Sequence, residues 1–259
     1  MEEVENLNGA DEKLWLFGKD DIENSPSREK NIRASTERRI TASCTRFILE
    51  VGAALEVPQL TRCAAIKLMQ RFYLMESMSR HSPPAVASAC LFIACKVQEC
   101  VKRLRDVIYW SIKIKTRSEQ FPRGEDLLEE SSRFQAEKKL VLQKERDVLR
   151  VLNFDYDVDL PFKYIIQLVK LYGTSAEQQK DLIQYAWNFV NDSLLTSIHM
   201  EYNETDIATA ALHLAMLYSN HELKKVPETG NPWYTHYGIN PKTMVEICNR
   251  MLEHYDVEV

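Results

Sequence analysis

Lys96 is the charged residue whose position is hardest to explain as an ordinary solvated side chain. It directly follows residues 85–95, eleven positions without a charge, and a helix that is apolar all round must be surrounded by others. A buried ammonium group is costly, so the side chain must emerge or pair with a carboxylate, for which Glu99 and Glu145 are the candidates. Two interpretations are equally supported: a lysine reaching solvent at a helix C-terminus, and a charged pair at the rim of a protein-binding face.

The rest of the sequence contains no arrangement of residues suited to catalysis or metal binding. It has no phosphate-binding glycine loop, no H-E-x-x-H and no G-x-S-x-G motif. The six histidines are scattered, and the six cysteines include no C-x-x-C pair, so we expect free, mostly buried thiols. We therefore predict that the chain is not an enzyme, holds no cofactor or metal, and acts by binding another protein.

Composition indicates a folded protein that is not built mainly to hold nucleic acid. The 259 residues suffice for two domains, and 45% hydrophobic with 27% charged residues is typical of globular chains. The formal net charge of −5 disfavours direct nucleic-acid binding. The basic run 102–105, continued by Lys113, Lys115 and Arg117, predicts a solvated helix face, with contact to an acidic partner or phosphate as the alternative. The absence of a long apolar run or signal peptide predicts an intracellular protein without membrane contact.

The apolar spacing is helical almost everywhere and predicts an all-α protein with a polar arm up to about Ala34. Expected helices lie at 36–56, 59–78, from Ser82-Pro83 onward, at 102–115, at 135–152, from Leu160-Pro161 to a stop at Gly173, from Thr174 to near Ile198, from Asn203 and from Asn240-Pro241. Surface loops are expected at 116–132 and over most of 221–239. Five residues are expected on the core side of the second helix: Leu60, Ala64, Leu68, Phe72 and Met75.

An internal repeat indicates how these helices are organised. Residues 86–94, VASACLFIA, align with residues 207–215, IATAALHLA, with conservative changes. Each copy follows two helices and precedes one or two more, so we predict two tandem five-helix domains, each around an Ala-rich central helix. Chance similarity between two Ala-rich helices is the alternative. The predicted divisions are an arm at 1–35, a first domain at 36–158 and a second at 159–259.

Three segments resemble the cyclin family. Residues 90–99, CLFIACKVQE, resemble the central helix of the cyclin box, in which a lysine is followed by a carboxylate three residues later. Residues 142–155, LQKERDVLRVLNFD, resemble the fifth helix and the turn that closes the first box. Residues 186–196, AWNFVNDSLLT, are similar to a stretch of cyclin K. The resemblance extends from Trp15 to Tyr255 and is closest to the transcriptional cyclins of the K and T type, cyclin K above all.

This resemblance implies a regulatory subunit that binds and activates a cyclin-dependent protein kinase, which phosphorylates the C-terminal repeats of RNA polymerase II in the nucleus. In the family, the residues matching Lys96 and Glu145 hold the kinase backbone beside its αC helix, and Glu99 belongs to the same motif. The implied apolar contacts are Val97, Leu149, Phe154 and Tyr156, and the implied edge residues are Lys139 and Arg146. The arm adds a further implied contact through Trp15.

The chain also departs from the family, and two other functions stay open. Cell-cycle cyclins dock substrates through a Met-Arg-x-x-Leu patch with a tryptophan, whereas this chain has Ile40-Thr41-Ala42-Ser43-Cys44 with Phe47, so we expect no such docking. Gln98 replaces the first of two acids usual in the central motif. The alternatives are a cyclin-fold general transcription factor of the IIB type, which binds DNA and polymerase directly, and a cyclin-fold scaffold without a kinase.

Overall fold

Helices are the only regular secondary structure in the residues that the computed structural model describes, which are 15–116, 128–173, 175–221, 223–225 and 230–256. The α-helices are α1 (Lys19–Glu23), α2 (Pro26–Glu29), α3 (Ala34–Ala54), α4 (Gln59–Met75), α5 (Pro83–Val97), α6 (Leu104–Lys115), α7 (Ser132–Val151), α8 (Phe162–Tyr172), α9 (Ala176–Ser193), α10 (Ile198–Glu201), α11 (Glu204–Ser219) and α12 (Pro241–Asp256), with a 3-10 helix at Trp233–Tyr237. The predicted all-α class is confirmed. None of these helices is both long and apolar enough to cross a membrane.

Helix α5 is the centre of the first half. Every residue from Ala85 to Cys95 is buried, and α3, α4, α6 and α7 all pack against this helix. Its small side chains allow close approach, and Ser88 Oγ lies 2.9 Å from Ser111 Oγ of α6. Ser82 occupies the N-cap position, but its side chain makes no capping hydrogen bond. The predicted central helix of the first half is confirmed.

Helix α11 has the same central position in the second half. It is buried along most of its length, and α8, α9, α12 and the 3-10 helix pack around it. The side chain of Asn203 accepts a hydrogen bond from the Asp206 backbone N–H at 2.8 Å and fixes the predicted start. Because the apolar core is continuous across both halves, the division into domains at 36–158 and 159–259 stays a prediction.

Several helix ends differ from the expected positions for local reasons. Helix α9 ends at Ser193 and not near Ile198, because the chain turns there: Ser193 Oγ donates to the Val190 carbonyl at 2.7 Å and Thr196 Oγ1 donates to the Ser193 carbonyl at 2.7 Å. Gly173 does follow α8, but its backbone is extended, with a φ of −69° and a ψ of 151°. A Cβ atom at Gly173 would lie 2.5 Å from the Val169 carbonyl oxygen, so close packing explains this glycine. Most of the expected loop at 116–132 falls outside the described residues.

Helix α4 buries polar residues that the apolar pattern did not predict. Leu60 and Met75, expected on its core side, are 44% and 43% exposed. In contrast, Lys67, Gln70 and Arg71 are buried. The reason is that α4 lies between the first half and the second, so that one of its faces meets backbone carbonyl groups rather than solvent.

These three side chains connect the two halves. The Lys67 ammonium group forms a buried ion pair with the Glu204 carboxylate and donates to the Asp159 carbonyl at 3.2 Å. Gln70 Nε2 and Arg71 Nη1 donate to carbonyl groups of the second half and of the connecting segment: Leu194 at 2.9 Å, Thr196 at 3.1 Å and Asp157 at 2.6 Å. Burial lowers the pKa of Lys67, and the Glu204 carboxylate opposes that shift. Since buried carbonyl groups need donors, these contacts fix the second half against α4.

His199 extends this polar cluster as a neutral imidazole. It is buried, and its Nε2 lies 2.8 Å from Ser193 Oγ. The Ser193 hydroxyl donates to Val190, so Nε2 carries the proton and Nδ1 faces Glu204 Oε2 at 3.8 Å. Burial lowers the pKa of His199 from its ordinary 6.5, with the Glu204 carboxylate opposing and the Lys67 ammonium group reinforcing the shift.

We expect the free energy of unfolding to fall as pH drops below 6.5. The reason is that His199 binds a proton at a higher pH in the unfolded chain than in the folded chain. The stabilisation is fully present above that pH, and its loss per pH unit is at most about 1.4 kcal/mol for one histidine. The glutamine amide of His199→Gln can still donate to Ser193. In this variant, the free energy of unfolding measured with urea should decline less between pH 8 and pH 5.5 than in the original chain. Some decline should remain in the variant, because burial also lowers the pKa of His81 and His213. Identical declines in the two proteins would contradict a contribution from His199.

Candidate protein-binding site

Lys96 and Glu145 form an ion pair between α5 and α7. Lys96 Nζ lies 2.5 Å from Glu145 Oε1, and the two side chains are 48% and 13% exposed. The same ammonium group lies 4.0 Å from the centre of the Phe92 ring, one turn earlier on α5. The partner of Lys96 is therefore Glu145 and not Glu99, and the ammonium group is open on one side. An ammonium has three N–H donors, so donors remain for acceptors of another molecule.

An exposed pair of aromatic side chains follows the end of α7. Phe154 is 64% exposed and Tyr156 is 46% exposed. Helix α7 ends in a Schellman motif: the Phe154 N–H donates to the Leu149 carbonyl at 2.8 Å and the Asn153 N–H donates to the Arg150 carbonyl at 3.1 Å. Large exposed aromatic residues and a partly exposed charged pair are both typical of protein-binding surfaces.

The other predicted site residues differ in their exposure. Val97 and Leu149 are partly buried against the core at the ends of α5 and α7. Glu99, Lys139 and Arg146 are exposed. Lys139 precedes Glu145 by six residues on α7, which is about 9 Å along the helix axis. We use the term interface residues for Lys96, Val97, Glu99, Lys139, Glu145, Arg146, Leu149, Phe154 and Tyr156.

Trp15 differs from the interface residues because it is 7% exposed. Its indole N–H donates to Asp155 Oδ2 at 2.8 Å, and the guanidinium carbon of Arg71 lies 5.2 Å from the centre of its ring. The sequence analysis selected none of Asp155, Arg71 and Phe92 as site residues. Of these residues, only Phe92 could have been predicted to contact Lys96, because residues four apart lie on the same face of a helix.

The basic run that begins at residue 102 is partly neutralised. Arg105 Nε lies 3.2 Å from Glu129 Oε1, and Lys115 forms an ion pair with Glu137 of α7. Lys113 Nζ lies 4.5 Å from the centre of the Trp110 ring. These contacts favour the solvated helix face over a phosphate-binding strip.

The cysteines are free, and five of the six are buried. Burial raises the pKa of all five buried thiols, to about 11 for Cys95, to about 12 for Cys44, Cys63 and Cys248, and higher still for Cys90. Cys100, which follows α5, is only partly buried. Within the described residues no group of histidine, cysteine and carboxylate side chains could hold a metal ion.

Two bundles around Ala-rich central helices, with a charged and aromatic face on the first, define a helical protein of the cyclin-fold class. A family model described as the cyclin N-terminal domain matches residues 14–157. That match covers more than half of the sequence, so the chain belongs to the cyclin family.

Individual comparisons agree with this assignment. Cyclin-T1-4 of Arabidopsis thaliana is 34% identical over 245 residues, which are 93% of this chain and 44% of that protein. Human Cyclin-K is 27% identical over 247 residues, 93% of this chain and 40% of that protein. The chain thus spans less than half the length of these relatives. A chain of the yeast RNA polymerase II CTD kinase complex CTDK-1 has the same fold, with a TM-score of 0.73 and 20% identity, covering 93% of this chain and 72% of that one.

Proposed function

We propose that this chain is the regulatory subunit of a cyclin-dependent protein kinase, which it activates to phosphorylate the C-terminal repeats of RNA polymerase II in the nucleus. The observation that carries the proposal is the Lys96–Glu145 pair, held at 2.5 Å with the Lys96 side chain 48% exposed, together with exposed Phe154 and Tyr156 just after the end of the helix that bears Glu145. The similarity to cyclins T1 and K and to a chain of a polymerase CTD kinase complex supports the same partner class.

The interface residues have distinct roles in this proposal. Lys96 donates its remaining N–H groups to carbonyl groups of the kinase, and Glu145 accepts backbone N–H groups at the same position. Phe154 and Tyr156, with Val97 and Leu149 beneath, are buried by the partner and supply most of the binding energy, as central aromatic residues commonly do. The exposed charges of Lys139, Arg146 and Glu99 surround this centre and act mainly on the rate of association.

Activation follows from preference for one kinase conformation. A protein kinase is active only when the lysine on its strand β3 pairs with the glutamate of helix αC. A subunit that contacts αC in the inward position binds the active state more tightly than the inactive one. Changing a population from 1:99 to 99:1 requires about 5.5 kcal/mol of differential affinity, which a desolvated aromatic centre with one charged pair is able to provide.

The direct test is co-purification followed by a kinase assay. The chain is used to capture partners from nuclear extract, and a captured kinase is then assayed on polymerase repeat peptides with and without the purified chain. We expect a cyclin-dependent kinase whose activity requires the chain. Capture of polymerase and DNA, with binding that weakens steeply with salt, would instead support the general transcription factor. Capture of proteins that include no kinase and no polymerase would support the scaffold. The net charge of −5 and the neutralised basic run favour the kinase.

A further inference from the structure

The backbone that displays Phe154 is strained. Phe154 has a φ of 58°, directly after Asn153 with a φ of 52°. Left-handed backbone is uncommon for a bulky side chain and persists only where surrounding contacts enforce it. Two such contacts are hydrogen bonds at this turn, from the Phe154 N–H to Leu149 at 2.8 Å and from the Asp155 N–H to Leu152 at 2.9 Å.

Contacts from the arm and from α4 hold the residues on both sides of Tyr156. Asp155 Oδ2 accepts the Trp15 indole N–H at 2.8 Å, and the Asp157 carbonyl accepts from Arg71 Nη1 at 2.6 Å. The Arg71 guanidinium also lies over the Trp15 ring, 5.2 Å from its centre. We call Trp15, Arg71 and Asp155 the brace.

Two of the three brace residues are buried in the rest of the molecule and are not available to a partner, whereas Asp155 is partly exposed. Trp15 is 7% exposed and Arg71 is 6% exposed. The single N–H donor of an indole is already used in Trp15. Two residues later, the Phe17 N–H donates to the Met200 carbonyl at 2.7 Å, so the arm is fastened to the second half as well.

We propose that the brace residues are positioning residues that hold Phe154 and Tyr156 in the conformation the kinase binds. This inference rests on the proposed function. Ordering exposed side chains during association opposes binding, and holding them beforehand removes that opposition. The N-terminal arm therefore strengthens kinase binding through Phe154 and Tyr156, without touching the kinase through Trp15.

The test compares variants that differ by one hydrogen bond. Trp15→Phe keeps a ring beside Arg71 but removes the N–H, Asp155→Ala removes the acceptor, and Asp155→Asn retains an oxygen acceptor. We expect about a tenfold rise in Kd for the captured kinase in the first two, the effect of one lost hydrogen bond in a preorganised site, and a nearly unchanged Kd in Asp155→Asn. In a Phe154→Ala background, in which Tyr156 remains, Trp15→Phe should raise Kd by less than it does in the original chain.

Hydrogen exchange in the free chain provides a readout that does not depend on a kinase. Trp15→Phe and Asp155→Ala should exchange the amides of Phe154 and Asp155 faster than the original chain, and Asp155→Asn should not. Trp233→Phe, which alters another buried tryptophan (5% exposed), should change neither the exchange rates of these amides nor the Kd for the kinase. Unchanged exchange at these amides would overturn the brace. So would faster exchange with unchanged kinase affinity, or a Trp15→Phe effect on Kd that is undiminished in the Phe154→Ala background. Failure of the original chain to bind any kinase would overturn the proposed function, while exchange would still decide whether the brace exists.

Discussion

Glu145→Lys is expected to abolish kinase association while the helical fold remains intact. The Glu145 side chain is 13% exposed and pairs with Lys96 at 2.5 Å. Reversal places two ammonium groups together and removes the carboxylate that we assign to kinase N–H groups. Disrupting one partner of a hydrogen-bonded charge pair in an interface costs on the order of 2–5 kcal/mol, at least about 30-fold in Kd. Calorimetric titration with the captured kinase measures the loss, and circular dichroism checks the fold.

Glu137→Lys is the matched control for this variant. Glu137 lies on α7, eight residues before Glu145 and thus about 12 Å away along the axis. It also pairs with a lysine, Lys115, and the two side chains are 15% and 23% exposed. Both reversals disturb one interhelical ion pair, but only that of Glu145 belongs to the proposed interface. Full binding and activation by Glu145→Lys, or equal losses in both variants, would show that the kinase binds elsewhere.

Glu204→Ala is expected to destabilise the fold more than the other single substitutions discussed, by about 3–5 kcal/mol. The side chains of Lys67 and Glu204 are 4% and 10% exposed, so removing the carboxylate leaves a buried ammonium group without its counter-ion. Urea unfolding at pH 8 measures the loss.

Two further variants separate this explanation from simple loss of packing. Lys67→Met combined with Glu204→Leu should recover most of the stability, since apolar replacement of both partners of a buried pair is often neutral. Glu246→Ala, which breaks the solvent-exposed pair with Lys19, should leave the unfolding curve almost unchanged. A double variant as unstable as Glu204→Ala would mean that the charge pair is not the source of the effect.

Local rules predicted most of the helices. The apolar run before Lys96 identified α5 because a helix without a polar face has only one stable environment, the interior. Asn203 identified the start of α11 through a capping bond that depends on residues three apart. Such signals lie within one helix, and they are therefore visible in a single sequence.

Contacts between distant residues could not be predicted in this way. The choice between Glu99 and Glu145 as partner of Lys96 depends on how α7 packs on α5. Asp155 was not selected from the sequence because its donor, Trp15, is 140 residues away. Lys67 was omitted from the core for the same reason, since its partner Glu204 is 137 residues away. In each case the polar group is buried by a segment that no local pattern connects to it.

The burial of the thiols makes this chain well suited to site-selective labelling. Maleimides react with thiolates, and a buried thiol with a raised pKa is rarely in the thiolate form. Of the six cysteines, only Cys100 is not buried, and it lies four residues after Lys96. A fluorophore attached there, without any engineered cysteine, reports the arrival of a protein at the end of α5 through a change in its emission.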